Sequence, residues 1–103
     1  MGDEDVRDKL RKDIAAVAAD ALLPHHRRGA LLILATGVDI LDAAEAIATD
    51  DATTVAAMIS DGTLSKPSLG QLADWCVDVE QRFQFVIVQP YVVAQLLPRT
   101  ELN

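Results

Sequence analysis

Two stretches of this sequence crowd chemically capable side chains together. His25-His26-Arg27-Arg28 is a compact cationic run in an otherwise acidic chain. Asp39, Asp42, Glu45, Asp50 and Asp51 form an acidic cluster further on. Carboxylates at that density can hold a divalent cation or work as an acid–base pair. Their spacing lacks the calcium-loop pattern, however, and helix capping accounts for Asp39 and Asp50 without further chemistry. Adjacent residues point in different directions on any regular element, so His25 and His26 make a poor bidentate metal site. The cationic run reads first as a helix C-terminus complementing the dipole. Its sharper reading is a docking point for an acidic partner peptide.

Cys76 is the one cysteine, which excludes an intrachain disulfide and fits a reducing compartment, the cytoplasm or a plastid stroma. It sits beside Trp75 on an apolar helix face, where a buried, inert thiol is expected. No glycine-rich phosphate loop, nucleophile elbow, H-E-x-x-H or paired C-x-x-C occurs. Gln89-Pro90-Tyr91 is the oddest local feature. Proline cannot donate to a strand ladder, so it marks an edge, bulge or kink. Gln89 can satisfy backbone groups there; alternatively an open edge displays Tyr91 to a partner strand or a second copy.

These residues need elements to position them. Two β-rich runs, 83–88 and 91–97, flank Gln89-Pro90 and read as the core strand pair. Residues 30–35, ALLILA, read as a buried strand bounded by Gly29 and Gly37. Three helical segments separate this run from 83–88, so the expected pairing of the two is parallel. Val6, Leu10, Ile14, Val17 and Ala21 recur at helical spacing and predict a helix over 4–20, with Pro24 ending it or opening a short turn. Asp39 predicts an N-cap, with Ile40, Leu41, Ala44, Ile47 and Ala48 facing inward. Either Asp50 or Asp51 caps a further helix over 52–60, burying Val55, Met58 and Ile59 and closing at Gly62. Ser68 and Gln71 form a capping-box pattern opening a helix whose apolar face is Leu69, Leu72, Trp75, Cys76 and Val79.

The 103 residues make one domain, 1–103, with a short free tail at 99–103. Half are apolar but only four are aromatic, so Leu, Ile and Val must build the core. A net charge of −7 argues against nucleic acid and against an anionic membrane surface. No apolar run reaches the ~18 residues of a membrane span, and the N-terminus has no secretory-signal character.

LLPHHRRGALLIL, VDILDAAEAIATDD, KPSLGQLADW and RFQFVIVQPYVVAQ together resemble the small bacterial and cyanobacterial domain-of-unknown-function family twenty-two eighty-eight. The resemblance spans about residues 6–98. Its most specific pieces are D-I-L-D-x-A-x-A-I-A-x-D-D and V-Q-P-Y-V-x-x-Q. Ala19 or Asp20 stands where members often carry a tryptophan. The resemblance implies a protein with no assigned reaction and supplies no catalytic residue.

The expected architecture is α+β, with about four helices on a three-stranded sheet formed by 30–35, 83–88 and 91–97. The expected function is non-enzymatic: an adaptor, regulator or assembly chaperone that binds another protein or peptide, or itself as a homodimer, without cofactor, nucleic acid or membrane insertion. Gln89, Tyr91, His25, Arg27 and Arg28 are the candidate partner-binding residues. The alternative is a metabolite- or metal-binding protein or enzyme using the Asp39-to-Asp51 carboxylates with His25 or His26.

Overall fold

The computed structural model describes residues 3–98, and the side chains from residue 6 onward. The expected tail at 99–103 lies outside the described residues. Chain order is α1 (Asp3–Asp13), β1 (Ala15–Ala18), a 3-10 turn (Ala19–Leu22), α2 (Leu23–Arg27), β2 (Leu31–Leu34), α3 (Ile40–Ala48), α4 (Ala52–Ser60), β3 (Leu64–Ser65), α5 (Leu69–Val77), β4 (Arg82–Val88) and β5 (Tyr91–Leu96). The class is α+β as expected, but with five α-helices on a five-stranded mixed sheet among the described residues.

The sheet order is β1-β4-β5-β2-β3. The strand pair read from the sequence, β4 and β5, forms an antiparallel hairpin, with Val88 opposite Tyr91 and Phe83 opposite Leu96. Gln89-Pro90, joined by a cis peptide, is its tight turn. Both strands are therefore interior, and the expected open edge at Pro90 is absent: the proline sits between strands, where no ladder donor is needed. β2 pairs in parallel, as expected, but with β5 rather than the 83–88 strand (Leu31 opposite Val92). The reason is β1, which occupies the free side of β4, with Ala15 opposite Phe85 and Val17 opposite Phe83.

β1 is also where the first predicted helix fails. α1 stops at Asp13 instead of reaching residue 20. Ile14 and Val17 do face the core, but from a strand or its lead-in. Alanine favours helix locally. Pairing with β4 satisfies backbone groups on both strands, and that tertiary gain overrides the propensity. β3, two residues long, pairs with the far edge of β2.

Strand alternation divides the core into two halves. Leu32, Leu34, Val86, Val88 and Val93 meet α1 and α3 on one face. Leu31, Ile33, Phe83, Val92 and Ala94 meet the 3-10 turn and α5 on the other. Phe83, fully buried, takes the edge of Trp75 at 5.1 Å and 71°. Buried Gln95 joins sheet to loop: its Nε2 donates to the carbonyls of Ala35 and Val38 (both 2.7 Å), and its Oε1 accepts from Gln84 (2.7 Å).

Three caps form as read. Asp39 accepts from the Leu41 amide (2.9 Å), Asp51 from Thr54 (3.2 Å) and Ser68 from Gln71 (3.1 Å). Gly62 closes α4 in the left-handed region, φ 85°. The burial expected of α4 does not follow. Val55 and Met58 are half-buried, Ile59 is 54% exposed, and no α4 residue is fully buried. Likewise Leu69 and Val79 are exposed while Leu72 is buried, and Cys76 is half-buried beside Trp75. Helical spacing shows which residues share a face, not how much of that face meets the sheet.

Candidate functional site

The incomplete packing of α4 leaves a groove of about 460 Å³ between α3, α4 and the β4–β5 turn. Its floor is apolar. Leu32 and Ala46 come from the packed core, and Ile47, Val55, Ala56 and Ile59 from the two helices. Its rim is polar and carries both signs of charge, with Asp50 and Asp51 from the α3–α4 connection, Lys66 just after β3, and Gln89 and Tyr91 from the hairpin turn. Tyr91 shares a sheet face with Val93 and Gln95 by alternation, which directs it to the groove side. It remains 40% exposed.

Asp50 has an unusual backbone. Its φ is 60°, the left-handed region that glycine normally fills at the end of a helix. The α3 terminus forms the bond pair that needs this conformation: the Asp50 amide donates to Ile47 O (3.1 Å) and the Asp51 amide to Ala46 O (2.8 Å). Asp51 then starts α4. Its carboxylate accepts from the Thr54 hydroxyl (2.7 Å) as well as the Thr54 amide, and these bonds hold it below the usual carboxylate range.

The remaining carboxylates of the acidic cluster are committed elsewhere. Arg7 on α1 reaches α3 and its cap, meeting Glu45 at 2.7 Å, Asp42 at 3.0 Å and Asp39 at 3.2 Å. Hydrogen bonds to Asp42 and then Glu45 push the guanidinium above its ordinary range. The five acidic residues thus divide into an Arg7 clasp and a groove pair. Among the described residues, no group of three His, Cys, Asp or Glu side chains is arranged to hold a metal ion.

The five candidate partner-binding residues also divide. Gln89 and Tyr91 line the groove. His25, Arg27 and Arg28 lie at the end of α2, near the same end of the sheet but across it: Ala30, just after them, accepts from the Val92 amide (2.9 Å). As the bland reading required, His25, His26 and Arg27 form the last turn of α2. Arg28 Nη2 lies 2.6 Å from His25 Nδ1, within hydrogen-bond distance. Lys66 and Ile59 were not singled out from the sequence. Lys66 lies in a helix lead-in, and Ile59 reads as core by its spacing, so neither carries a local mark of the groove.

Fold and site together define a small α+β domain with an apolar, charge-rimmed groove at one end of a mixed sheet. The chain belongs to the family described as a protein of unknown function (DUF2288), whose model matches residues 5–96. It is similar to PA1075 from Pseudomonas aeruginosa, a protein solved in solution by NMR. The two are 33% identical with a TM-score of 0.77, over 96% of this chain and 92% of that one. No curated protein matches it. Among the described residues, no helix is long and apolar enough to cross a membrane.

Proposed function

We propose that this chain is a non-enzymatic interaction protein of a reducing compartment that receives an apolar segment of a protein partner in the groove beneath Tyr91. The observation that carries this reading is the groove's make-up. Its floor of about 460 Å³ is aliphatic, and the half-exposed ring of Tyr91 stands at its rim. Aromatic residues beside a desolvated apolar centre are the usual anchors of an interface. Lys66 opposite two aspartates would orient the segment through its polar groups. Adaptor, regulator and assembly-chaperone roles all use such a surface, and none requires a cofactor.

The test is cross-linking in a host lysate with a photoreactive residue at position 56, which also lines the groove and is exposed. Ile59→Glu and Tyr91→Ala serve as groove variants, and Arg28→Glu lies outside the groove. One protein captured by the parent and by Arg28→Glu, and lost with both groove variants, supports the reading. A capture pattern that the groove variants leave unchanged refutes it.

A second reading draws on the same cavity. Its volume falls inside the ~300–1,000 Å³ typical of small-molecule sites, with few polar groups converging on an apolar floor. A metabolite present at about 100 times its Kd would stabilise the fold by roughly 2.7 kcal/mol. A thermal-shift screen in which a compound stabilises the parent but not Ile59→Glu would favour this reading over the first.

A further inference from the structure

The layer formed by the 3-10 turn, α2 and α5 lies on the sheet face away from the groove. α5 is apolar on two sides. Leu72, Trp75 and Cys76 turn inward, whereas Leu69, Ala73 and Val77 recur four residues apart on an exposed stripe. Leu69 is 74% exposed, Val77 81%, and Val79 just beyond 74%. The sheet beneath is also incompletely covered. Phe83, Phe85 and Ile87 share this face, and exposure rises along them from fully buried through half-buried to 47%. Large apolar side chains exposed on one layer in this number mark an interface.

The charges around it indicate the occupant. Residues 39–61, on the opposite layer, contain six carboxylates and no lysine or arginine. Arg7 of α1 pairs with three of them, which leaves Asp50, Asp51 and Asp61 as the charges that a second copy of this acidic chain would meet there. The α2–α5 layer is instead polar in the electrical sense. Arg27 and Arg28, both exposed, precede β2, whose first residue pairs Val92 near the hairpin turn. Asp74, Asp78 and Glu80, with the single cation Arg82 bonded to Val79 O among them (3.2 Å), lie at the start of β4, at the opposite end of the hairpin, where Leu97 bonds to Arg82 O. The 3-10 turn contacts both α2 and α5. A two-fold axis lying in the interface, perpendicular to the line joining the two charged ends, turns the layers face to face and sets each cationic end against the partner's anionic end. That self-complementarity is what an isologous interface demands.

We infer that the α2–α5 layer is a homodimer interface, closed by the Leu69–Val77 stripe and by reciprocal Arg27/Arg28 to Asp74/Glu80 attraction between two copies. It is independent of the groove, which stays open on the far side of each sheet.

Sedimentation velocity on the full chain, over a concentration series reaching roughly 500 µM, tests this. The parent is expected to dimerise reversibly and Val77→Glu to remain monomeric. Two charge-reversed variants decide the geometry: Arg27→Glu/Arg28→Glu, and Asp74→Lys/Glu80→Lys. Each alone opposes like charges at both contacts, so its dimer should weaken by roughly ten-fold or more. Mixed one to one, they restore attraction at both contacts and should form a heterodimer. Circular dichroism identical to the parent's confirms that the variants are folded. A monomeric parent overturns the inference, as does a dimer that both reversed variants form as tightly as the parent. Ile59→Glu, in the groove, should dimerise like the parent, which keeps failure of the groove reading distinct from failure here.

Discussion

Replacing Asp50 with glycine should stabilise this protein, and the amount can be worked from the α3 terminus. Asp50 holds φ 60°, a region that costs an L-residue roughly 1–2 kcal/mol and a glycine almost nothing. Aspartate tolerates the region better than most residues, so the lower figure, about 1 kcal/mol, applies. Glycine returns about 0.4–1 kcal/mol of this by loosening the unfolded chain. A second term is close to neutral. The Asp50 carboxylate follows α3, whose dipole disfavours an anion by about 0.3–1 kcal/mol, but it also precedes the Asp51 cap of α4, whose dipole favours one by a similar amount. The net expectation for Asp50→Gly is a gain of up to about 0.6 kcal/mol, which raises Tm by up to roughly 5 °C in a domain of this size. Asp50→Asn removes only the charge and should change stability little. Asp50→Val, β-branched at a positive φ, should lose stability. Urea unfolding at low and high salt checks this balance, because salt screens both dipole contributions and leaves the backbone contribution intact. A glycine variant no more stable than the parent, or a valine variant matching glycine, would refute the reasoning. A stabilised glycine variant that also lost binding would show that the rim carboxylate is kept for the groove at the expense of stability.

Phe83→Leu removes the edge-on contact with Trp75 from a fully buried position and should cost about 1–3 kcal/mol, with a changed tryptophan emission spectrum as the local reading. Asp51 and Asp61 are both held below the usual carboxylate range, by hydrogen bonds from Thr54 and Thr63 respectively. A depressed folded-state value gives stability that is present above the unfolded value, about 3.9, and lost as pH falls through the folded one. Melting temperature should therefore drop below about pH 4, and the Asp51→Asn/Asp61→Asn variant should show a shallower acid decline. An equally steep decline in that variant would assign the acid sensitivity to other groups.

Local chemistry was the legible part of the sequence. Asp39, Asp51 and Ser68 cap the helices they precede because a cap needs only its own side chain and an amide two or three residues on. The two strands flanking Gln89-Pro90 were legible from their own composition, whereas the tight antiparallel turn that joins them was not. Choices that depend on distant partners were not. Ala15-Ala16-Val17-Ala18 carries the helical spacing of the residues before it, and only the vacant side of β4 makes it a strand. β3 spans two residues, too few for any periodicity. The site was half legible: Tyr91 and Gln89 were found through the proline beside them, whereas Lys66 and Ile59 belong to the groove only because α4 stands off the sheet. The acidic cluster looked continuous in sequence, and a single arginine on another helix divides it.

The sheet order has a consequence for how this chain must be made. β4 and β5 are its central strands, yet they follow every other described element in sequence. β1 has no partner except β4, and β2 joins the hairpin only through β5. On the ribosome, α1 and the segments up to α5 emerge at about 5–20 residues per second before the central strands they pack on exist. Until residues 82–96 are released, β1 cannot pair and β2 has only the two-residue β3 beside it. The fold is therefore completed in one late step. A nascent chain stalled before Arg82 leaves ALLILA uncovered, and that stretch is the one a holding chaperone would meet first.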